Sequence, residues 1–446
     1  MEKSPLEKVR AVLQDKRVLV VGLGRNGGGI GVAGFAARMG AQVVVTDIKT
    51  EEALKESIQK LKEYPQIVFH LGGHRGEDFE KVDLIFKGPS VPWDLPELKK
   101  AQSLGIPVEM EVSFFMLFNP SRTIGITGTR GKSTTTQMIF EMVQNAGLTA
   151  YLAGNVAQIS TISLLEKVTS RDIVVMELSS FQLSDFHRKK ISPDIAVFTN
   201  FYPDHLNYYK TLEDYLYDKT AIFAYQKPGN FFTANKSVET FLKDYTPPVA
   251  PHFVTKNDFP HPLDSLRGTH NQENAAVALQ VAKFLRLPEE QAIQSLVHCN
   301  GLPYRQQVVA EKGTTQFIND SASTTPIALI TALKTFVDKP TVLIMGGNDK
   351  GLPIDGLMES LASVQSIVVL KGDFTDKIYP ELKKRFGDAV TPVFENFEEA
   401  VNESYRRAQR ISSPSYVLFS PGATSFAMFQ NEFHRGEEFT RLARSI

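Results

Sequence analysis

At 446 residues the chain exceeds what one hydrophobic core organises, and ordinary domain sizes predict about three domains. Its 49 Lys and Arg against 50 Asp and Glu leave a net charge of −1, which excludes a general attraction for nucleic acid or an anionic membrane. A single cysteine, Cys299, excludes a disulfide framework and a multi-cysteine zinc site and fits a reducing cytosol, where it is expected as a buried apolar thiol. The opening MEKSPLEKVRAVLQDKR lacks the apolar core of a signal peptide, and no run approaches the roughly 18 apolar residues of a membrane span, so a soluble cytoplasmic protein is expected.

From the N-terminus onward, the first strand candidates are VLVVG (18–22), QVVVTD (42–47) and DLIFKGPS (83–90). These β-branched runs lack the polar alternation of a half-exposed sheet and are expected as buried parallel strands. GLGRNG follows the first, and Asp47 closes the second. In that dinucleotide-type arrangement Gly22, Gly24 and Gly27 permit a tight turn, a helix N-terminus faces a pyrophosphate, and the acid bonds a ribose. NAD or UDP would suit it. GGGIGVAG (27–34) is richer in glycine than the fingerprint requires, so the helix start is expected to be delayed or reshaped.

After a boundary at FNPSR (118–122), strands restart with TIGITGT (123–129), IVVMELSS (173–180) and IAVFTN (195–200). In GITGTRGKSTTT (125–136), Gly128, Gly131, Lys132 and Ser133 follow a strand and precede a helix-compatible run that begins at Thr134. Glycine there lets consecutive N–H groups face phosphate oxygens, Lys132 neutralises them, and Ser133 can reach magnesium. A strict Walker A loop has glycine where this chain has Ile126, so the loop is a variant. Glu177 and His205 end the next two strands, where either could serve a magnesium ion, although magnesium prefers oxygen. Equally, Glu177 fits a helix cap, His205 a satisfied loop histidine, and Lys219 a solvated helix lysine.

YTPPVAPHF (245–253) reads as a proline-rich surface loop and ENAAVALQVAKFL (273–285) as a helix. CNGLPYR (299–305) precedes a third set of strands: FIND (317–320), VLIMGG (342–347), IVVLKG (367–372) and YVLFSPG (416–422). The expected fold is α/β in three domains: an N-terminal Rossmann-like domain over 1–115, a central P-loop-type parallel-sheet domain over 116–301, and a C-terminal Rossmann-like domain over 302–446. Ligands belong beyond the carboxyl ends of such strands.

The ordered set GTRGKSTTT, MELSSFQ, TNFYPDHLNYY, Lys219, GTHNQEN, GLPYR, INDSAST, MGGNDKG and FSPGATSFAMFQNEFHRGEEFTRL resembles the Mur ligases over nearly the whole chain. The closing stretch is most similar to the branch that joins D-glutamate to UDP-N-acetylmuramoyl-L-alanine. The resemblance implies a monomeric ATP- and Mg2+-dependent amide ligase of peptidoglycan precursor synthesis. Its three domains would hold the UDP-sugar, ATP and the incoming amino acid. ATP would phosphorylate the alanyl carboxylate, and the D-glutamate amine would then displace phosphate.

By the same resemblance Lys132, His205 and Lys219 are catalytic, Lys219 in carbamylated form, and Ser133, Glu177, His205 and Lys219 serve the metal sites. Gly128, Thr129, Gly131, Ser133, Thr134, Asn274, Arg305 and Asp320 join Lys132 around ATP. Gly24, Asn26, Asp47 and Asn155 face the UDP substrate; Thr324, Lys350 and Ser425 face D-glutamate, the two hydroxyls donating at helix starts.

Three positions depart from the family pattern. Ala322 stands where a lysine follows INDS, Arg130 replaces a loop asparagine, and Glu432 falls where an aromatic packs beside D-glutamate, leaving Phe429 or Phe433 to fill that role. Thr324 and Ser425 also fit ordinary helix caps, Arg305 a linker arginine and Asp320 a turn cap. Other readings are a sister Mur ligase or a folylpolyglutamate-synthase-like ligase with a different acceptor, an NAD-dependent dehydrogenase, and a nucleotide-binding regulator without catalysis. The folate enzyme lacks a glycine-rich first unit, and a dehydrogenase leaves the phosphate loop unexplained.

Overall fold

The structure is a computed structural model that describes residues 4–24, 27–156, 159–205, 208–266, 268–299, 301–349, 351–411 and 414–446. Asn26 and Lys350, both expected at substrates, lie outside these residues.

Three sheets follow one another along the chain. The first contains β1 (Arg17–Val21), β2 (Gln42–Asp47), β3 (Val68–Leu71), β4 (Leu84–Lys87) and β5 (Val108–Glu109), all parallel, in the order β3-β2-β1-β4-β5. The second contains β6 (Arg122–Thr127), β7 (Ala150–Gly154), β8 (Ile173–Glu177), β9 (Ile195–Phe198), β10 (Phe231–Asn235) and β11 (Pro251–Val254), again parallel, in the order β11-β10-β9-β6-β8-β7. The third contains β12 (Gln307–Lys312), β13 (Thr315–Asn319), β14 (Thr341–Gly346), β15 (Ser366–Leu370), β16 (Val390–Phe394) and β17 (Ser415–Phe419), in the order β12-β13-β17-β14-β15-β16. Only its edge strand β12 runs antiparallel to its neighbour.

The chain divides into two compact units: residues 1–261 with 269–296, and 262–268 with 297–446. The first two sheets share one unit and one apolar cluster, which runs from Val18, Val20 and Phe35 through Phe115 to Met176 and Phe198. β1 shows why its sequence is apolar from Val18 to Val21. Val18 and Val20 enter that cluster, whereas Leu19 and Val21 point oppositely against Phe79, Ile85 and Leu98, so both faces are buried. Each such aliphatic side chain stabilises the fold by about 1.5–3 kcal/mol when fully buried. The second unit has its own clusters on the two faces of β14, Leu343 and Met345 on one and Val342 and Ile344 on the other.

Two expectations change. The helix after β1 is not delayed; it starts at Gly28, directly after Gly27. Its excess glycine reflects packing. A Cβ on Gly29 would lie 2.3 Å from Gly22 O, and one on Gly31 would lie 2.1 Å from Ser160 Oγ, in the segment after β7. The proline-rich stretch is not wholly loop, because its end enters β11, with Pro251 as the first residue of an edge strand, a position that asks little of its missing N–H.

Candidate active site

β6 is flanked by β8 and β9, and the loop that leaves it begins the helix Lys132–Asn145. Two glycines shape this loop. Gly128 has φ +147° and faces Thr199, whose Oγ1 would lie 2.0 Å from an added Cβ; Gly131 has φ +78°, with Asn274 Oδ1 at 2.7 Å from such an atom. Side chains are excluded on both counts. The segment after β9 clasps the loop: Asn200 Oδ1 accepts from Arg130 N at 2.8 Å, Thr199 Oγ1 donates to Arg130 O at 2.6 Å, and Thr129 N donates to Asn200 O at 2.9 Å. Thr199 and Asn200 were not singled out from sequence, although they end the strand run that was.

Two lysines converge here. Lys132 Nζ donates to Gly128 O and Thr129 O, each at 3.0 Å, and Lys219 Nζ donates to the same Gly128 O at 2.8 Å. Lys219, on the helix Leu212–Thr220, is not solvated: only 1% of it is exposed. Burial, reinforced by the Lys132 charge, drives its amine well below the ordinary lysine range, against the opposing pull of Asp204, Asp218 and Glu177.

Glu177 ends β8 and is buried, but it does not cap the following helix. Ser179 does so, in a capping box with Gln182. Asn155 holds Glu177 instead: its Nδ2 donates to Glu177 Oε1 at 2.9 Å, and its N donates to Glu177 O at 2.7 Å. His205 packs edge-on against Phe181 (5.2 Å) and Tyr215 (5.8 Å), and its backbone adopts φ +55°. Burial lowers its pKa below the usual histidine value; Asp204 opposes this, and Lys219, Lys132 and Arg130 add to it. Lys132, Lys219, Glu177 and His205 therefore belong to one electrostatic neighbourhood. Asn274 lies in it too, against Gly131 and donating to Asn271 Oδ1 at 3.2 Å.

Among the described residues no group of three or more His, Cys, Asp or Glu is placed to hold a metal. The donors present are one buried carboxylate (Glu177), the Ser133 hydroxyl at the helix start and the His205 imidazole. Magnesium keeps several waters and shares substrate phosphates, so a sparse oxygen-rich set of this kind fits it better than it fits zinc.

In the first sheet Asp47 is buried and committed to the glycine turn. Its Oδ2 accepts from Leu23 N at 2.9 Å and Gly24 N at 3.3 Å, and its Oδ1 accepts from Lys49 N at 2.9 Å. It shapes the turn from beneath. Glu111, which the sequence did not single out, ties this region to the second sheet through Ile162 N at 3.1 Å and Ser160 Oγ at 3.2 Å, with burial lifting its pKa to about 7.

The second unit holds Asp320 and Thr324 after β13, Ser425 after β17, and Arg305 ahead of β12. Asp320 accepts from Ser420 Oγ at 2.7 Å and Gln306 N at 3.2 Å, and burial raises its pKa to about 7 despite Arg305 and Arg435. The cap of the helix Pro326–Lys334 is Thr325, not Thr324. Ser425 is buried and begins a turn, its carbonyl accepting from Met428 and Phe429; it is not at a helix start, because the last helix begins at Glu432 behind Asn431. Phe429 packs edge-on against Phe397 at 4.8 Å, Phe433 faces Tyr304 at 6.1 Å, and Phe426, beside Ser425, is 60% exposed. Arg435, also missed, is fully buried and ties Ser321 to Ala423 through bonds of 2.8–3.0 Å.

A glycine-bounded strand-to-helix loop at the switch point of a parallel sheet, crossed by two lysines, in a chain that has a further α/β sheet before it in sequence and another after it, defines a phosphate-loop α/β protein of several domains. Comparison with known proteins makes this specific. Residues 16–109 match the N-terminal domain of the MurD-like Mur ligases, and residues 126–258 match the Mur ligase middle domain. A UDP-N-acetylmuramoylalanine--D-glutamate ligase from Roseiflexus sp. is 36% identical, the alignment covering 97% of this chain and 99% of the relative. One from Clostridioides difficile is 32% identical over 96% and 98%. In fold the chain is similar to UDP-N-acetylmuramate-alanine ligase MurC of Thermotoga maritima (TM-score 0.58, 20% identity, 96% and 99% covered) and to the MurF ligase of Thermotoga maritima in complex with ADP (TM-score 0.53, 16% identity, 98% and 96% covered). The chain belongs to the Mur ligase family.

Proposed function

We propose that this chain joins D-glutamate to UDP-N-acetylmuramoyl-L-alanine with hydrolysis of ATP, a step of peptidoglycan precursor synthesis. The observation that carries the chemistry is the meeting of Lys132 and Lys219 at the Gly128 carbonyl, with Glu177 and His205 in the same field. The relatives over nearly the whole length support the choice of acceptor.

In this reading the loop N–H groups and Lys132 receive the ATP phosphates. A carboxylate is a poor acyl donor because oxide is a poor leaving group; phosphorylation of the alanyl carboxylate replaces it with phosphate. The amine of D-glutamate then attacks the carbonyl carbon, and phosphate departs. Much of the catalysis is positioning and neutralisation of growing negative charge. Magnesium, when bound through Glu177, Ser133 and His205, supplies Lewis-acid neutralisation of phosphate oxygens. Lys219 is buried, and burial favours its neutral form, the form of an amine that can add carbon dioxide. The resulting carbamate would turn a cation beside Lys132 into an anion that supports the metal.

Asn155 orients Glu177 and in this reading reaches the sugar with Gly24 and Asn26, while Asp47 serves the UDP substrate by holding the glycine turn. Asn274, Arg305 and Asp320 serve the adenosine and phosphate side; Thr324, Lys350 and Ser425 serve D-glutamate. The working domains are 1–115 for the UDP substrate, 116–301 for ATP and 302–446 for the amino acid, in a cytoplasmic monomer. No helix among the described residues is long and apolar enough to cross a membrane.

The test is phosphate release from ATP by the purified protein. Release is expected only with UDP-N-acetylmuramoyl-L-alanine and an amino acid together, and D-glutamate should be the one used from a panel of D- and L-amino acids. Turnover with L-lysine or meso-diaminopimelate but not D-glutamate would overturn the acceptor and keep the ligase class.

A further inference from the structure

Among the described residues, three buried polar side-chain atoms of the second unit have no hydrogen-bond partner: Ser323 Oγ, Asn348 Oδ1 and Ser425 Oγ. They are not scattered. Ser323 follows β13, Asn348 follows β14 and Ser425 follows β17, and these strands are neighbours in the sheet, in the order β13-β17-β14. The stretch after β17 joins them: Gly422 N donates to Ser323 O at 2.9 Å, and Thr424 and Asn348 exchange backbone hydrogen bonds of 3.1 Å in each direction. The approach is close enough to require glycine at 347, where a Cβ would lie 2.2 Å from Thr424 O. Ser323 and Ser425 are each only 3% exposed.

A buried polar atom without a partner is unfavourable, and native proteins keep few of them. Three on adjacent strand tips, where parallel sheets bind ligands, point to partners supplied from outside. Their chemistry narrows the ligand. The two hydroxyls can donate to carboxylate oxygens, whereas an amide carbonyl can only accept and so asks for an N–H. An α-amino acid carries both groups.

We propose that Asn348 positions the amine of the incoming amino acid by accepting one of its N–H groups, and that Ser323 joins Ser425 in donating to its carboxylates. This rests on the ligase reading and deepens it. Ser323 and Asn348 are then specificity-determining residues that the family resemblance did not supply. One N–H held by Asn348 Oδ1 fixes the direction of the nitrogen lone pair without consuming it.

The test separates amine from carboxylate with glutarate, which has the two carboxylates of glutamate and no amine, as a competitor of D-glutamate. Ser323→Ala is expected to raise the D-glutamate KM and the glutarate inhibition constant by the same factor, about 10-fold or more, as loss of one hydrogen bond to a charged group predicts. Asn348→Leu is expected to raise the D-glutamate KM about 10- to 100-fold and to leave glutarate within about 2-fold of wild type. Asn348→Asp, which keeps the acceptor, should recover most of the loss, and KM for ATP and for the UDP substrate should not move in any variant. Equal weakening of glutarate and D-glutamate in Asn348→Leu overturns the amine contact, as does an unchanged D-glutamate KM, which would mean that water satisfies the carbonyl. Unchanged values in Ser323→Ala, or a wild type that glutarate does not inhibit, overturn the carboxylate contacts. If Asn348→Leu does not fold, Asn348→Ala is judged by the same criteria. Should the wild type use a different amino acid, that acceptor and its deamino analogue give the same decision, so the two readings fail separately.

Discussion

Lys219 donates its one described hydrogen bond to a backbone carbonyl that Lys132 also uses, deep enough that charging it is unfavourable. A lysine kept only for charge would not be placed there. Lys219→Ala is expected to reduce turnover by about 100-fold or more, in the range of losing a preorganised electrostatic group. Part of the activity should return with added formate or acetate, which place a carboxylate in the vacated space; steady-state assays with and without these acids decide it, and full activity in the unrescued variant counts against a carbamate. Asp320 makes the converse point. Burial raises its pKa from 3.8 to about 7, so the folded state holds a proton that the unfolded chain releases near pH 4. Its contribution is intact below about pH 4 and is lost as pH rises towards 7. Asp320→Asn removes that loss. The variant should match wild type in urea unfolding at about pH 4 and exceed it at pH 8 by on the order of 2–4 kcal/mol, while losing ligase activity if Asp320 contacts nucleotide. A stability difference that does not change with pH would show that the carboxyl is ionised when folded.

The strands legible in the sequence are the interior ones. β1, β2 and β4, then β6, β8 and β9, then β13, β14, β15 and β17 lie inside their sheets and are mostly buried on both faces, so each carries a short apolar run. All six edge strands escaped notice: Val68–Leu71 is only partly buried, and Pro251–Val254 opens on proline. An edge strand has one partner and much solvent, so its composition carries little signal. β10, FFTAN, escaped although interior, because Thr233 and Asn235 interrupt its apolar run. The glycine excess after β1 was legible as an anomaly but not as its cause, since Ser160 is remote in sequence and meets Gly31 only through folding. That contact gives a test of how the helix Gly28–Arg38 seats against the segment after β7. Gly31→Ala is expected to destabilise the first unit by about 1–3 kcal/mol, the usual range for overpacking. Ser160→Gly in the same chain should recover most of it, as measured by denaturant midpoints of the single and double variants. Additive losses would mean that the two residues do not share the space.

The site was legible where a motif combines backbone geometry with chemistry. Gly128, Gly131 and Lys132 were found because a phosphate loop needs them, and Asn274 only through the family resemblance; the structure sets Asn274 against Gly131. Asn155 on Glu177, Glu111 on Ser160 and Arg435 on Ser321 were not found in those roles, because each is defined by a partner rather than by a pattern. The same distinction governs how the chain should unfold. Three domains were anticipated, yet the first two sheets share a single apolar cluster in which Phe115, fully buried, sits with residues of both, while the third sheet and residues 262–268 form a unit with separate clusters. Cores that are continuous melt together, and cores that are separate need not. Calorimetry should therefore resolve two transitions, not three. Phe115→Ala should cost about 3–5 kcal/mol in one of them and leave the other in place, and a nonhydrolysable ATP analogue with magnesium should raise the same transition that Phe115→Ala lowers, because Lys132, Lys219 and Glu177 all lie in that unit. A third transition, or a shift of both by Phe115→Ala, would show that the continuity of the apolar cluster does not set the cooperative unit.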